Sequence, residues 1–301
     1  MKTADTLAML FGHNLWANLR LLERCAALTP EQLAAATLGG YGSIHDTLQH
    51  IVEGEQLYFS IVSTGLRGSR PKDAPATLAA MAQSARTTGA GLIEWAPRVQ
   101  PGDTYPEEWD GALLAVPKSM MLTQAINHAT EHRAQIMATL TQLGIQPPEL
   151  DGWSYYDSLL PVNAAAVVSH IMQTFPVVET SEAYGYTFFF DGPDHRLPFA
   201  TLSSSDNEHD RVSNLDRPGV YRLNIGVSKQ TFQSLFGAAP VDVSRYDFTT
   251  LDTLMPHPEY AAQSFICVLA PTKATFERVR PLLAEAYDIA VRRHARPNQA
   301  E

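Results

Sequence analysis

Two histidines, His128 and His132, stand four residues apart in residues 125–135, where the pattern is helical without interruption. Residues at that spacing share one helix face, about 5–6 Å between Cβ atoms. Met121, Ala125, His128, His132 and Ile136 form one stripe at three- and four-residue steps. Imidazole is the commonest protein ligand for transition metals. Two rings on one face chelate a single ion when a third ligand arrives from elsewhere. The competing reading is a hydrogen-bonded pair that fills a core. A zinc-protease helix carries Glu directly after its first His. Ala129 stands there, so that mechanism has no support.

His50 is the candidate third ligand. It lies beside the apolar stripe Ile44, Leu48, Ile51, Tyr58 and Val62, in line with Gly54, Leu57 and Ile61. It is either a satisfied core residue or a ligand. Gly54, one turn on, would leave space next to a metal at His50. Glu53, three residues on, could reach a ligand or a bound water, which makes it the candidate for proton transfer. His45, on another face, reads as solvated. Asn14 and Asn18, four apart, read either as hydrogen-bond partners of the ligands or as exposed polar residues.

The elements that must position these groups are four helices. Apolar periodicity marks them at about 4–27, 44–64, 77–95 and 119–143. Ser43 with Asp46 resembles a capping box at the start of the second. Gly144 and Pro147-Pro148 stop the fourth. Residues 97–117 suggest a small hairpin or a lid, and residues 65–75 a loop. Four such helices make a bundle, and bundle cores build metal sites from facing helices. One His from the second helix and two from the fourth supply three nitrogens, the layout of a metal with an open position.

The second half changes texture. Asn163 caps a short helix to about 175, in which His170 reads as structural. Strands follow at 184–190, 197–203, 219–227 and 264–269, with a short helix after Ser228 and a last helix from Thr272 that kinks or restarts at Pro281. In the third strand Tyr221, Leu223, Ile225 and Val227 alternate with Arg222 and Asn224. Residues 191–194 are turn chemistry. The order is α-β-β-β-α-β-α, an α+β domain with an antiparallel sheet. Residues 207–210 and 213–219 cluster polar groups, either as a binding loop or as a loop held by its own Asx turns, the latter preferred. His195, His209 and His257 show no ligand spacing. Nucleophile elbows, phosphate loops and dinucleotide fingerprints are absent from this half.

The 301 residues carry a net charge of −10. Residues 1–150 hold 10 Lys and Arg against 14 Asp and Glu, and residues 151–301 hold 12 against 18. Neither half is basic, so no nucleic-acid partner is expected. Cys25 and Cys267, far apart, build neither a disulfide framework nor a cysteine zinc site. Buried reduced thiols in a cytoplasmic protein are expected. No signal peptide is expected, since Asp5, His13 and Asn14 interrupt any apolar run, and no membrane span, since no apolar stretch approaches about 20 residues.

Three segments resemble one family. His13-Asn14-Leu15-Trp16-Ala17-Asn18, Ser43-Ile44-His45-Asp46-Thr47-Leu48-Gln49-His50-Ile51 and Asn127-His128-Ala129-Thr130-Glu131-His132-Arg133-Ala134-Gln135 are similar, in order and approximate spacing, to the DinB/YfiT-like family. The resemblance covers about residues 1–157. It implies an all-α, up-down-down-up four-helix bundle with a divalent metal on His50, His128 and His132. It also implies a homodimer through the bundle, as in many relatives, and a thiol-dependent transferase or isomerase activity, as in characterised members. Residues 158–162 then form a linker, and residues 163–301 a second domain. Tyr184-Gly185-Tyr186-Thr187-Phe188-Phe189 and Pro198-Phe199-Ala200 loosely resemble the MmcQ/YjbR-like group. Residues 212–227 look more closely like a bacterial family of unknown function.

The leading expectation is a metalloenzyme whose ion is zinc, nickel or iron, acting on a small molecule with a low-molecular-weight thiol. Hydrolysis is the runner-up. The competing class is a non-catalytic ligand-binding or sensor module with a structural metal. Fold-level analogy warrants no particular substrate.

Overall fold

The computed structural model describes residues 5–68, 76–193, 195–208, 210–238 and 240–295. Residues 69–75 of the expected first loop, the turn residue Asp194 and the loop histidine His209 lie outside them. The chain divides into two compact units, Met1–Tyr155 and Tyr156–Glu301.

Helix α1 spans Thr6–Cys25 and opens on Asp5, whose carboxylate accepts from the Leu7 amide. A short α2, Pro30–Leu33, starts at a Thr29–Gln32 capping box. Helix α3, Ile44–Thr64, begins where Ser43 and Asp46 bond each other's backbone, and ends at Gly65 with φ 76°. Both signals satisfy orphan backbone groups at a helix terminus. Helix α4, Leu78–Trp95, opens on the Thr77 hydroxyl. Strands β1, Thr104–Trp109, and β2, Ala112–Pro117, form an antiparallel hairpin. Its two turn residues, Asp110 and Gly111, have φ of 49° and 76°, as a type I′ turn requires. Tyr105 anchors the hairpin by burial. Helix α5, Lys118–Gln142, follows directly.

Helix α1 packs against α4 and α5, and α3 packs against the same two, so the four long helices close a ring. Leu21, Leu22, Leu48, Ile51, Met81, Ile136 and Leu140 belong to one apolar cluster. Phe11, Val62, Leu92, Leu122 and Ala125 belong to a second. On α1, α3 and α4 the residues between the two clusters are polar and buried: Asn14, Asn18, Glu55 and Thr88. Helix α6, Gly152–Ser158, follows the bundle. Its Tyr155 meets His13 and Trp16 of α1, while Trp153 stays exposed.

The second unit opens with α7, Ala164–Thr174, capped by Asn163. Residues of the expected linker are tied into this unit: Pro161 bridges to Thr272, and the Val162 amide donates to the Pro271 carbonyl. The strands are β3 (Glu179–Ala183), β4 (Tyr186–Phe190), β5 (Ala200–Ser203), β6 (Arg222–Gly226), β7 (Met255–Pro256) and β8 (Phe265–Leu269). Their order in the sheet is β3-β4-β5-β6-β8-β7, antiparallel throughout. Two strands exceed the expected set. The first, β3, reads Glu-Thr-Ser-Glu-Ala and is mostly exposed, so no apolar alternation marks it; the second, β7, has only two residues.

Helix α8 is Lys229–Phe236, and α9 is Lys273–His294. Pro281 does not restart α9, which runs through it on the solvent side. Val167, Ile171, Val279, Leu283 and Ala286 of the helices pack with Phe189, Leu223, Ile225, Ile266 and Val268 of the sheet.

The alternation in β6 holds, but its polar side is buried as well. Arg222 is 0% exposed and donates to Asp210, to Ser213 Oγ at 2.8 Å and to Asn224 Oδ1 at 3.0 Å. Asx bonds do organise the loop above, for the Leu215 amide donates to Asp206 and the Asp210 amide to Asn207. Asp210 additionally docks that loop on the sheet, where it also accepts from Tyr186. Although burial opposes it, those bonds hold the Asp210 carboxyl below the usual range. His257 is buried too, and its Nδ1 accepts from the Glu259 and Tyr260 amides, both at 3.1 Å. Burial, then the Arg222 charge, push its pKa down to about 3, so the ring stays neutral.

Candidate metal centre

His50 projects from α3, and His128 and His132 project from α5, the helix pair that packs side by side in the ring. One ring nitrogen from each lies within 4.8 Å of the other two. His50 Nε2 and His128 Nε2 are 2.9 Å apart. Ring centroids are 4.6 Å apart for His50–His128, 4.8 Å for His50–His132 and 4.5 Å for His128–His132. The three rings converge, and each crosses the others at a steep angle, 59°, 82° and 77° in the same order.

Two neighbours orient them. His132 Nδ1 donates to Gln135 Oε1 at 2.9 Å, which makes Nε2 the lone-pair nitrogen of the neutral ring. The same Gln135 oxygen accepts from the Tyr41 backbone amide at 3.2 Å. The Tyr41 ring stacks on His50 with centroids 3.8 Å apart and stands edge-on to His132. The loop before α3 is thus bonded to α5 and covers one ring of the cluster. Tyr58 stands edge-on to His128 at 5.7 Å.

Gly54 plays a different part from the expected one. A Cβ there would meet His128 Cε1 at 2.8 Å. The room made by this glycine is filled by the His128 ring and is not open space beside His50. Glu53, half-buried on α3, accepts from Gln49 Nε2 at 2.7 Å, and Gln49 Oε1 accepts from the Ala76 amide at 3.2 Å. The cluster within ligand reach consists of the three histidines, without Glu53. His45 is half-buried, its Nε2 bonding the Ala76 carbonyl at 3.0 Å, and is not solvated as expected. Glu131 is exposed.

Asn14 and Asn18 bond Glu55 and Arg133 rather than any of the three histidines. Both donate through Nδ2 to Glu55 Oε2, at 2.8 and 3.0 Å, and accept through Oδ1 from Arg133 Nη1, at 2.8 and 2.7 Å. Thr88 donates to Glu55 Oε1 at 2.8 Å, and Arg133 Nη2 donates to Thr130. A carboxylate and a guanidinium are therefore bridged in the core by two carboxamides, with all four helices contributing. Burial pushes the Glu55 carboxyl up, against the bonds it accepts. Burial also lowers Arg133 to about 10, still cationic at neutral pH. Glu55 and Arg133 carried no signal in the sequence beyond their type. A charged residue on an otherwise apolar helix face is the pattern that could have found them.

Cys25 and Cys267 are buried free thiols, and burial raises each to about 12. No helix among the described residues is long and apolar enough to cross a membrane.

Comparison with known proteins gives two family matches. The model of a family of unknown function (DUF6194) matches residues 162–299. The expected MmcQ/YjbR likeness finds no support there. It rests on the order of strands and helices with residues 184–189 and 198–200, and an order of elements is shared by unrelated α+β domains. Among solved structures, a DinB-like protein from Bacillus cereus is 21% identical, with 46% of this chain and 90% of that one covered and a TM-score of 0.36. A DinB-like protein (YjoA) from Bacillus subtilis is 12% identical, with 49% and 99% covered and a TM-score of 0.37. No curated protein matches. The model of the DinB family matches residues 1–166, more than half of the length, and the chain belongs to the DinB family.

Proposed function

We propose that the N-terminal unit binds a divalent transition metal, zinc, nickel or iron, on His50, His128 and His132. We further propose that it is an enzyme acting on a small molecule, with transfer to or from a low-molecular-weight thiol as the reaction class. The observation that carries the reading is the approach of three imidazole nitrogens, from two helices, to within 4.8 Å of one another. Metal–nitrogen bonds of about 2.0–2.1 Å in a tetrahedron separate ligand nitrogens by roughly 3.3 Å. No nitrogen pair of this cluster, all within 4.8 Å of one another, exceeds that spacing by more than about 1.5 Å. An all-imidazole set suits zinc, nickel and iron, and three protein ligands leave a position for an exchangeable guest.

A bound ion supplies Lewis acidity, which lowers the pKa of a water or thiol and polarises a substrate oxygen or sulfur. The chain's own residues have separate tasks. Gln135 holds the His132 tautomer that turns Nε2 towards the cluster. Tyr41 covers one ring and holds off water on that side. Glu53 is offered for proton transfer, which requires its carboxylate to leave Gln49. Hydrolysis is the runner-up reaction. The acidic balance of both halves favours small-molecule partners over nucleic acid. A non-catalytic metal-holding or sensor module is the competing reading, and the Tyr41 stack over His50 favours it.

The test is metal analysis of the purified chain, followed by cobalt substitution and titration with low-molecular-weight thiols. Thiol-dependent movement of the cobalt bands is the expected result, and unresponsive bands would favour the closed module. His132→Ala should lose the ion and keep its helical circular dichroism. Full occupancy in that variant would remove His132 from the triad.

A further inference from the structure

A recess lies in the first unit, lined by residues other than His50, His128 and His132. It is an open cleft of about 450 Å³. Ligand sites of roughly 300–1,000 Å³ are characteristically apolar, with a few convergent polar groups. Its walls include Met137, Pro147, Pro148 and Leu150, and its polar groups include Arg133 and His13. Thr130, Arg133, Ala134 and Met137 all lie on the side of α5 opposite His128, His132 and Gln135, by the 100° advance per residue of a helix. The cleft and the triad therefore use opposite faces of one helix.

Arg133 is only 4% exposed, and its donors can be counted. A guanidinium has five N–H groups. Nη1 uses two, on Asn14 and Asn18, and Nη2 uses one, on Thr130. Among the described residues nothing accepts from Nε or from the second N–H of Nη2. A carboxylate matches such a fork with two parallel bonds. The nearest balancing charge, Glu55, reaches Arg133 only through the two carboxamides.

His13 closes the same wall. Its Nε2 donates to the Leu150 carbonyl at 2.7 Å, which ties α1 to the 146–151 segment and holds the recess in shape. Two acids at the rim, Glu149 and Asp151, set an upper limit on ligand charge. Asp151 is already engaged at the start of α6, accepting from the Trp153 and Ser154 amides at 2.7 and 3.0 Å. A multiply charged anion would be repelled there, whereas a single carboxylate on an apolar body matches both the walls and Arg133.

We infer that this cleft is a binding site for a small amphipathic monocarboxylate, alkyl or aryl, whose carboxylate pairs with Arg133 while its body lies on Met137, Pro147, Pro148 and Leu150. The inference is independent of the metal reading.

The test uses the full chain and four probes, acetate, octanoate, phenylacetate and indole-3-acetate, each beside its uncharged amide. Binding is followed by calorimetry and by the fluorescence of Trp16, whose ring stands 6.0 Å from that of His13. At least one of the three larger acids should bind, at least about tenfold more tightly than its amide, a ratio that one charge-assisted pair sustains. Acetate should bind more weakly than the best of them. Arg133→Lys should lose most of that preference. Because Arg133 also holds the core network, Met137→Trp provides the second variant. It fills the cleft from its apolar side and should abolish binding without changing the circular dichroism. Absence of binding by every acid, equal binding of acid and amide, or undiminished binding in Met137→Trp would each overturn the assignment.

Discussion

Glu55 is held in the centre of the bundle by three donors, and Arg133 by three acceptors, with Asn14 and Asn18 common to both. Removing one member of such a buried network leaves its partners unpaired in the core, which is costly. Glu55→Ala removes the acceptor for three groups and leaves the Arg133 charge uncompensated. It should cost about 3–5 kcal/mol in denaturant unfolding. Glu55→Gln keeps the shape and removes the titration. Because burial raises the folded-state pKa of Glu55, the native chain binds that proton more tightly than the unfolded chain does. The stability this contributes is full below the ordinary value near 4.5 and is lost as pH rises through the raised one. The difference in unfolding free energy between wild type and Glu55→Gln should therefore fall with pH across that window and be flat beneath it. A flat difference throughout would mean that Glu55 keeps an ordinary pKa.

At the scale of elements, the register of α3 against α5 decides whether the three rings meet. At Gly54 the backbone of α3 comes close to the His128 ring of α5. In an isolated helix Ala is preferred over Gly by about 1 kcal/mol. Here the added methyl would meet His128 Cε1 at 2.8 Å, and the ring would have to leave its position. Gly54→Ala should keep or raise helical content while weakening metal binding, read as ions per chain at fixed free metal. Unchanged occupancy would mean that the ring has room to move and still bind. The hairpin β1–β2 shows the same dependence of local structure on a neighbour. Two strands alone are marginal in water, and burial of Tyr105 supplies what their exposed Trp109 and Leu113 do not.

On the scale of the whole molecule, all three histidines come from α3 and α5, inside Met1–Tyr155. The core of that unit is its own, as is the helix–sheet core of Tyr156–Glu301. A chain ending at Tyr155 should fold as a helical protein and bind metal with the stoichiometry of the full chain. The complementary piece should bind none at this site. Size-exclusion chromatography with metal analysis of both pieces reads the outcome. Loss of metal by the first piece would mean that the second unit takes part in the centre.

Much of the first unit was legible in the residue order because its signals act within one or two turns. The Ser43–Asp46 box, Gly65 and the His128/His132 spacing are local, and they delimit α3 and put the two α5 histidines on one face wherever those helices pack. The polar strand β3 and the two-residue β7 were not legible, since neither carries a periodic apolar signal and both exist by pairing with neighbours. Partner choice was decided only in three dimensions. Asn14 and Asn18 bond a glutamate about 40 residues on and an arginine more than 110 residues on, and the Gly54 gap belongs to a ring 74 positions later. Helix boundaries and the shared face of a histidine pair are properties of a chain segment. What a buried polar atom bonds, and which side chain fills a gap, depend on surfaces that meet only when the helices close on one another.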